Sequence, residues 1–301
     1  SWNLSSTPIG VEGSQFGTDD LRTGFNRAKL AWYNIDPIFY TRQRPSEISD
    51  NEISKNETRR IFIEEIFPQQ DIVQGQSRIQ NTFDLSFFPN EKGPYNNNLN
   101  QDFLNNSKSN WAGITRDLSS TNFEKANVEF IQFWLLDTFS DNDSNLNNLG
   151  NLVLNLGNIS EDILKDGKKL YENGLPIVNS PEIVNESNWG KTPATQSLIY
   201  SFDSDENNRV LQDLGYDGLN DIQEIDKYNN GSSNDPAGDN YQYYIDANGG
   251  ILNRYKNYNG TQGNSPVNVG NSGRGSTTVP DNEDVNQDNT MNTIDSYFEY
   301  N

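Results

Sequence analysis

The sequence contains no cysteine and no histidine. That excludes a disulfide framework, a thiol nucleophile and a cysteine zinc site. It also excludes a Ser-His-Asp triad and any histidine general base. Hydrophobic residues make up only 32% of the chain, with a single methionine. Mean hydropathy is −0.85, low for a compact domain. Basic residues are scarce as well: 22 Lys and Arg face 43 Asp and Glu, a net charge of −21. A polyanion of this kind repels DNA, RNA and anionic lipid surfaces, and it attracts cations. No apolar run approaches a membrane-spanning helix, so direct lipid insertion is not expected, and no signal peptide is visible. The start at Ser1-Trp2-Asn3 reads as a piece cut from something longer.

Aromatic residues offset the shortage of aliphatics. There are 15 Phe, 14 Tyr and 5 Trp, each able to bury a large area. At 301 residues the chain can form one large domain or two ordinary ones. Residues 24–40 read as strand, turn at Asp36-Pro37 and a short extended segment. Residues 46–67 read as a short helix with one apolar face, with strand as the alternative. Thr82 to Phe87 alternates at period two and stops at Pro89. Val128 to Leu136 is the most apolar stretch, and its length predicts a central strand buried on both faces. Leu149–Leu156, Leu198–Phe202 and Ser296–Tyr300 read as further strands. Residues 160–173 carry Ile163, Leu164 and Leu170 at helical spacing. Residues 229–240 and 257–282 are Asn-, Gly- and Ser-rich loops. Together these predict a mainly β fold, a jelly-roll-like β-sandwich with a few short helices and long polar loops. Residues 1–202 would form the sandwich. Residues 203–301 would form a loop-rich acidic region whose terminal strand returns to it.

Two acidic stretches have the spacing of calcium loops. Calcium takes six to eight oxygens on a sharply turning loop. In one stretch Asp213, Asp217, Asp221 and Glu224 stand at positions 1, 5, 9 and 12, with Gly218 at the turn. Gly215 stands where a further oxygen ligand is expected, so one ligand is missing. In the other, Asp284, Asn286, Asp288 and Asp295 stand at positions 1, 3, 5 and 12, and Thr290 offers a backbone carbonyl at position 7. Asn289 replaces the turn glycine, a substitution that the left-handed region tolerates. The expected cofactor is Ca2+ at both loops. Asp203, Asp205 and Asn207 form a weaker oxygen cluster that reads as a solvated turn.

Other motifs carry less. Gly270 to Gly275 lacks the signature of a phosphate loop. No two carboxylates stand out as a glycosidase pair. Trp111, Trp134 and Trp189 could stack on sugar; Trp134 reads as core, and the other two are open to either reading. No enzyme activity is expected.

Several stretches resemble one family in order. They are Ala28–Tyr40, Glu65–Pro68, Phe87–Asn96, Val128–Leu135, Asn155–Pro176, Gln212–Leu219, Arg254–Thr261 and Asp281–Asn292. The chain resembles the SprA (Sov) family, the giant outer-membrane translocons of the type IX secretion system of Bacteroidota, which also supports gliding motility. The resemblance implies a fragment of a much longer protein whose hallmark is a large membrane β-barrel. The repeated alternating segments of barrel wall are missing here. The implied role is an extramembrane structural or gating domain at the outer membrane, exposed to the cell surface or the periplasm. Its implied partners are the rest of the barrel, other secretion components and secreted cargo. The alternative is a calcium-stabilised carbohydrate-binding β-sandwich of a cell-surface protein.

Overall fold

A computed structural model describes residues 2–8, 10–11, 13–17, 19–100, 102–105, 107–118, 125, 127, 129–138, 150–172, 184–196, 201, 212, 215–229, 233–260, 281–293 and 295–300. Strands hold 19% of the residues and helices 14%, so the fold is strand-built, with short helices and much irregular chain. There is no closed barrel among the described residues, and no helix among them is long and apolar enough to cross a membrane.

The largest sheet is antiparallel and four-stranded. It is built from β1 (Asn3–Leu4), β6 (Ile114–Asp117), β7 (Leu154–Ile159) and β10 (Asp295–Tyr300), in the order β1-β6-β10-β7. The terminal strand is therefore internal. Tyr300 lies opposite Ile114 on one side and Leu154 on the other. Three further two-stranded pieces form: β2 (Ala28–Tyr33) with β5 (Asp84–Lys92), β3 (Ile61–Phe62) with β4 (Ile79–Gln80), and β8 (Val184–Glu186) with β9 (Lys191–Pro193).

β2 is the strand that both cores share. Side chains alternate along a strand. Trp32 enters one cluster with Leu4, Tyr95, Ile114, Leu164, Leu170 and Trp189. Its neighbours Ala31 and Tyr33 enter a second with Phe39, Ile48, Tyr244, Ile251 and Tyr255. Both clusters draw on residues before and after position 203. In the second, Tyr33 stacks on Tyr255 with ring centres 4.0 Å apart. Truncating Trp189, which is 1% exposed, should cost about 3–5 kcal/mol in urea unfolding.

Several expectations need correction. Residues 129–136 are not a buried central strand, and Val128 lies outside the described residues. Among the described residues of that stretch no strand forms, Trp134 is 72% exposed and Phe130 is 81% exposed. Of the three indoles weighed above, Trp111 and Trp189 are instead the buried ones. Apolar content alone did not say what would cover the segment. Residues 160–172 form a bent, buried loop and no helix. Lys165 (φ 58°) and Gly167 (φ 71°) adopt left-handed backbone there, which ends any helix. The Pro89 stop is also overturned. β5 continues to Lys92, with a bulge where pairing shifts between Ala28 and Lys29; bulges accommodate proline. After Asp36 the chain makes a 3-10 turn over Pro37–Tyr40 in place of an extended segment, with the Asp36 carboxylate accepting from the Ile38 N–H at 2.8 Å. Within 46–67 the apolar run is β3 followed by the single turn α1 (Ile63–Ile66). Leu198–Phe202, apart from Ser201, and the cluster Asp203–Asn207 lie outside the described residues.

Candidate cation centre

The first acidic stretch folds as a turn leading into a helix, α3 (Asp221–Tyr228); α2 is the single turn Asp102–Asn105. Asn220 caps α3. Its side chain accepts from the Gln223 N–H at 3.1 Å, and Gln223 Oε1 accepts from the Asn220 N–H at 3.0 Å. This capping box fixes the helix start. Asp221 and Glu224, three residues apart, then share one face of the first turn, where acids also oppose the helix dipole. Gly218 (φ 62°) makes the preceding turn. There the Asp217 carboxylate accepts from the Leu219 N–H at 3.1 Å and approaches the Tyr228 hydroxyl at 3.2 Å.

The loop after α3 completes the cluster. Asp235 Oδ1 accepts from the N–H groups of Gly238 at 2.8 Å and Asp239 at 3.1 Å. That turn sends Asp239 inward. Carboxylate oxygens of Asp217, Glu224 and Asp239 lie within 4.8 Å of one another, and so do those of Asp221, Glu224 and Asp235. Glu224 belongs to both groups. Glu224 and Asp239 are 0% exposed and Asp217 is 1% exposed. The Ala237 N–H donates to Glu224 Oε2 at 2.9 Å, and Asn240 Nδ2 donates to Asp221 Oδ1 at 2.8 Å.

Gly215 now has a reason. A Cβ at that position would stand 1.9 Å from Asp239 Oδ2. The site lacks a side-chain oxygen there because the carboxylate of a distant residue takes the space. Asp235 and Asp239 are the two members that the spacing did not reveal. Their only local signal was the turn sequence Asp235-Pro-Ala-Gly238.

Burial dominates the electrostatics. It pushes the Asp217 carboxyl up to about 7, against the Leu219 and Tyr228 hydrogen bonds and with a further upward push from Asp235. Asp221 is raised for the same reason. Lys29 is buried nearby and donates to the Gly238 carbonyl at 3.0 Å. Burial lowers its pKa, and Asp235 and Asp239 act to raise it. Burial thus favours the protonated forms of Asp217 and Asp221, whereas an oxygen-preferring cation between them would favour the charged forms.

The second stretch is arranged differently. Asp284 Oδ1 accepts from the Asp288 N–H at 3.0 Å. Its Oδ2 accepts from the Asn289 N–H at 2.7 Å and from Lys169 Nζ at 2.8 Å. Asn286 Oδ1 accepts from the Asp288 N–H at 3.0 Å. Asp288 accepts from both the N–H and the hydroxyl of Thr290, at 2.8 and 2.6 Å, and the hydroxyl leads in lowering its carboxyl to about 2. Asp284, Asn286, Asp288 and Thr290 therefore share one turn, and an ammonium already faces Asp284. Asp295 begins β10, opposite Ile159; its side chain, like all of Asp213, lies outside the described residues.

This loop carries a contact that the sequence did not disclose. Glu283 accepts from the N–H groups of Ile163 at 2.8 Å, Leu164 at 3.3 Å and Leu170 at 3.0 Å. Glu161 reciprocates, accepting from Val285 at 2.9 Å, Asn286 at 3.4 Å and Asn292 at 2.7 Å. Each loop thus supplies one buried carboxylate to the other's backbone. Burial pushes the Glu283 carboxyl up, aided by Asp162 and Asp166, while the backbone hydrogen bonds act to lower it.

Fold and site together define a strand-rich, acidic, loop-dominated protein with two overlapping groups of carboxylates. Residues 216–301 match the model of a family described as SprA_N, motility related/secretion protein. The likeness to this family extends over residues 216–301, and it suggests a role related to secretion or motility. A search of curated proteins returns no match.

Proposed function

We propose that the chain is an extramembrane structural and gating domain of a type IX secretion translocon at the outer membrane, stabilised by calcium. The observation that carries this reading is one of position. Asp217, Asp221, Glu224, Asp235 and Asp239, the members of the two carboxylate groups, all fall inside the stretch that matches the secretion family. Calcium fits the donor set, which is all oxygen and hard. In this reading the jelly-roll-like sandwich is organised about β2, whose side chains serve cores on both faces. The second loop would take calcium through Asp284, Asn286, Asp288, Thr290 and Asp295 only if Lys169 gives way. The partners are the remainder of the barrel, other secretion components and cargo, and the domain performs no catalysis. The carbohydrate-binding alternative keeps only Trp134 of its three indoles, because Trp111 and Trp189 are 7% and 1% exposed.

The test uses the complete protein in a secreting, gliding host. Asp217→Asn, Glu224→Gln and Asp239→Asn are introduced together. Barrel assembly should persist, while secretion and gliding fall. Wild-type secretion by the triple variant, at wild-type protein level, overturns the reading.

A further inference from the structure

A cleft of about 150 Å³ opens at the corner between the β2–β5 and β3–β4 pairs. It is lined by Asn34, Ile35 and Tyr40, by Arg59, Arg60 and Ile61, and by Ser77 and the run from Ile79 to Thr82. Cofactor and drug-sized pockets measure roughly 300–1,000 Å³. This one has room for a single side chain.

Its charge stands out in a chain of net charge −21. Arg59 is committed: Nη1 pairs with both oxygens of Glu65, at 3.2 and 2.9 Å. Arg60 is not. Its guanidinium lies over the Tyr40 ring, 4.5 Å from the centroid. Among the described residues no carboxylate makes an ion pair with it. Tyr40 is itself fixed through its hydroxyl, which donates to the Thr58 carbonyl. A guanidinium stacked and pre-oriented on an aromatic ring is a receptor for a planar carboxylate.

The same corner carries an exposed apolar strip. Asn56 Nδ2 holds the Asp137 carbonyl at 2.9 Å, and Asn56 Oδ1 accepts from Arg59 Nε at 3.3 Å. Trp134 meets Phe67, just past α1, edge to face at 5.8 Å. Phe130, Phe133, Trp134 and Leu135 are 81%, 52%, 72% and 70% exposed. Among the described residues, the backbone of 129–136 makes no hydrogen bond to other backbone. Apolar side chains beside backbone left unpaired by the described residues suit an extended peptide that adds as a strand.

We propose that this corner binds an extended apolar peptide segment carrying one acidic side chain. The carboxylate enters the cleft onto Arg60, and flanking aliphatic or aromatic residues cover the 129–136 strip. This does not depend on the calcium reading, because no residue is shared with that cluster.

The probe is a fluorescein-labelled decapeptide of Val, Leu and Thr with one central Glu, beside the same peptide with Gln. Anisotropy is read on the 301-residue chain. The Glu peptide should bind about tenfold more tightly than the Gln peptide, the worth of one good charge-assisted contact. Arg60→Gln should remove that difference, and Trp134→Ala should weaken both peptides alike. Melting curves confirm that each variant is folded. Equal binding of the two peptides by wild type, retention of the difference in Arg60→Gln, or no binding of either peptide overturns the proposal.

Discussion

Calcium should raise the melting temperature of the wild-type domain, and Glu224→Gln should remove the rise. A ligand that binds only the folded state stabilises it by RT ln(1 + [L]/Kd), about 2.7 kcal/mol at a hundredfold excess over Kd. In a chain of this size that is a shift of about 5 °C. Glu224 is the variant of choice because it belongs to both carboxylate groups. Gly215→Ala provides an independent check. It alters no oxygen, but its Cβ would stand 1.9 Å from Asp239 Oδ2, so it should displace that carboxylate and weaken the calcium response. A calcium response of wild-type size in both variants would sink the assignment.

The pH dependence of the same domain should reverse between chelator and calcium. Without a cation, the folded Asp217 carboxyl sits at about 7, raised from 3.8 by burial. Between those values the folded state holds a proton that the unfolded state has released. Stability in chelator should therefore fall as pH rises from about 4 to 7. With calcium the ionised carboxylates are the ligands, so stability should rise over the same range until binding saturates. Thermal melts at pH 5 and pH 7.5 in each condition suffice. Parallel trends in chelator and calcium would show that these carboxylates do not hold the ion.

What the sequence disclosed depended on how local each feature is. β2 and β5 were legible because aromatic content, alternation and flanking turn residues are properties of neighbouring residues. Asp217, Asp221 and Glu224 were legible because one turn and one helical cap set their spacing. Asp235 and Asp239 were hidden, since their role depends on a second loop and on a missing Cβ at Gly215. The 160–172 loop misled for a related reason. Ile163, Leu164 and Leu170 are buried as expected, but Glu283, over a hundred residues away, supplies the hydrogen-bond acceptors that a helix would have supplied itself. The Asp166-Gly167 pair was the available turn signal. Val128 to Leu136 showed the opposite limit: its composition demands cover, and composition cannot name the cover.

That long-range carboxylate supports the second large prediction. Glu283 is fully buried and takes three backbone N–H groups from the 160–172 loop. A buried donor that loses its acceptor costs about 1–3 kcal/mol. Glu283→Ala strands three donors at once, so a loss of at least about 3 kcal/mol is expected even with partial rescue by water. The damage should spread, because β7 (Leu154–Ile159) leads directly into this loop and pairs with β10. Glu283→Gln keeps one accepting oxygen and should fall between wild type and Ala. Urea unfolding measures the three proteins, and hydrogen exchange locates the effect. Protection should be lost first at Ile163, Leu164 and Leu170, and next along β7 and β10. If Glu283→Ala unfolds within about 0.5 kcal/mol of wild type, the size usual for surface substitutions, the reciprocal carboxylates are not what holds these two loops together.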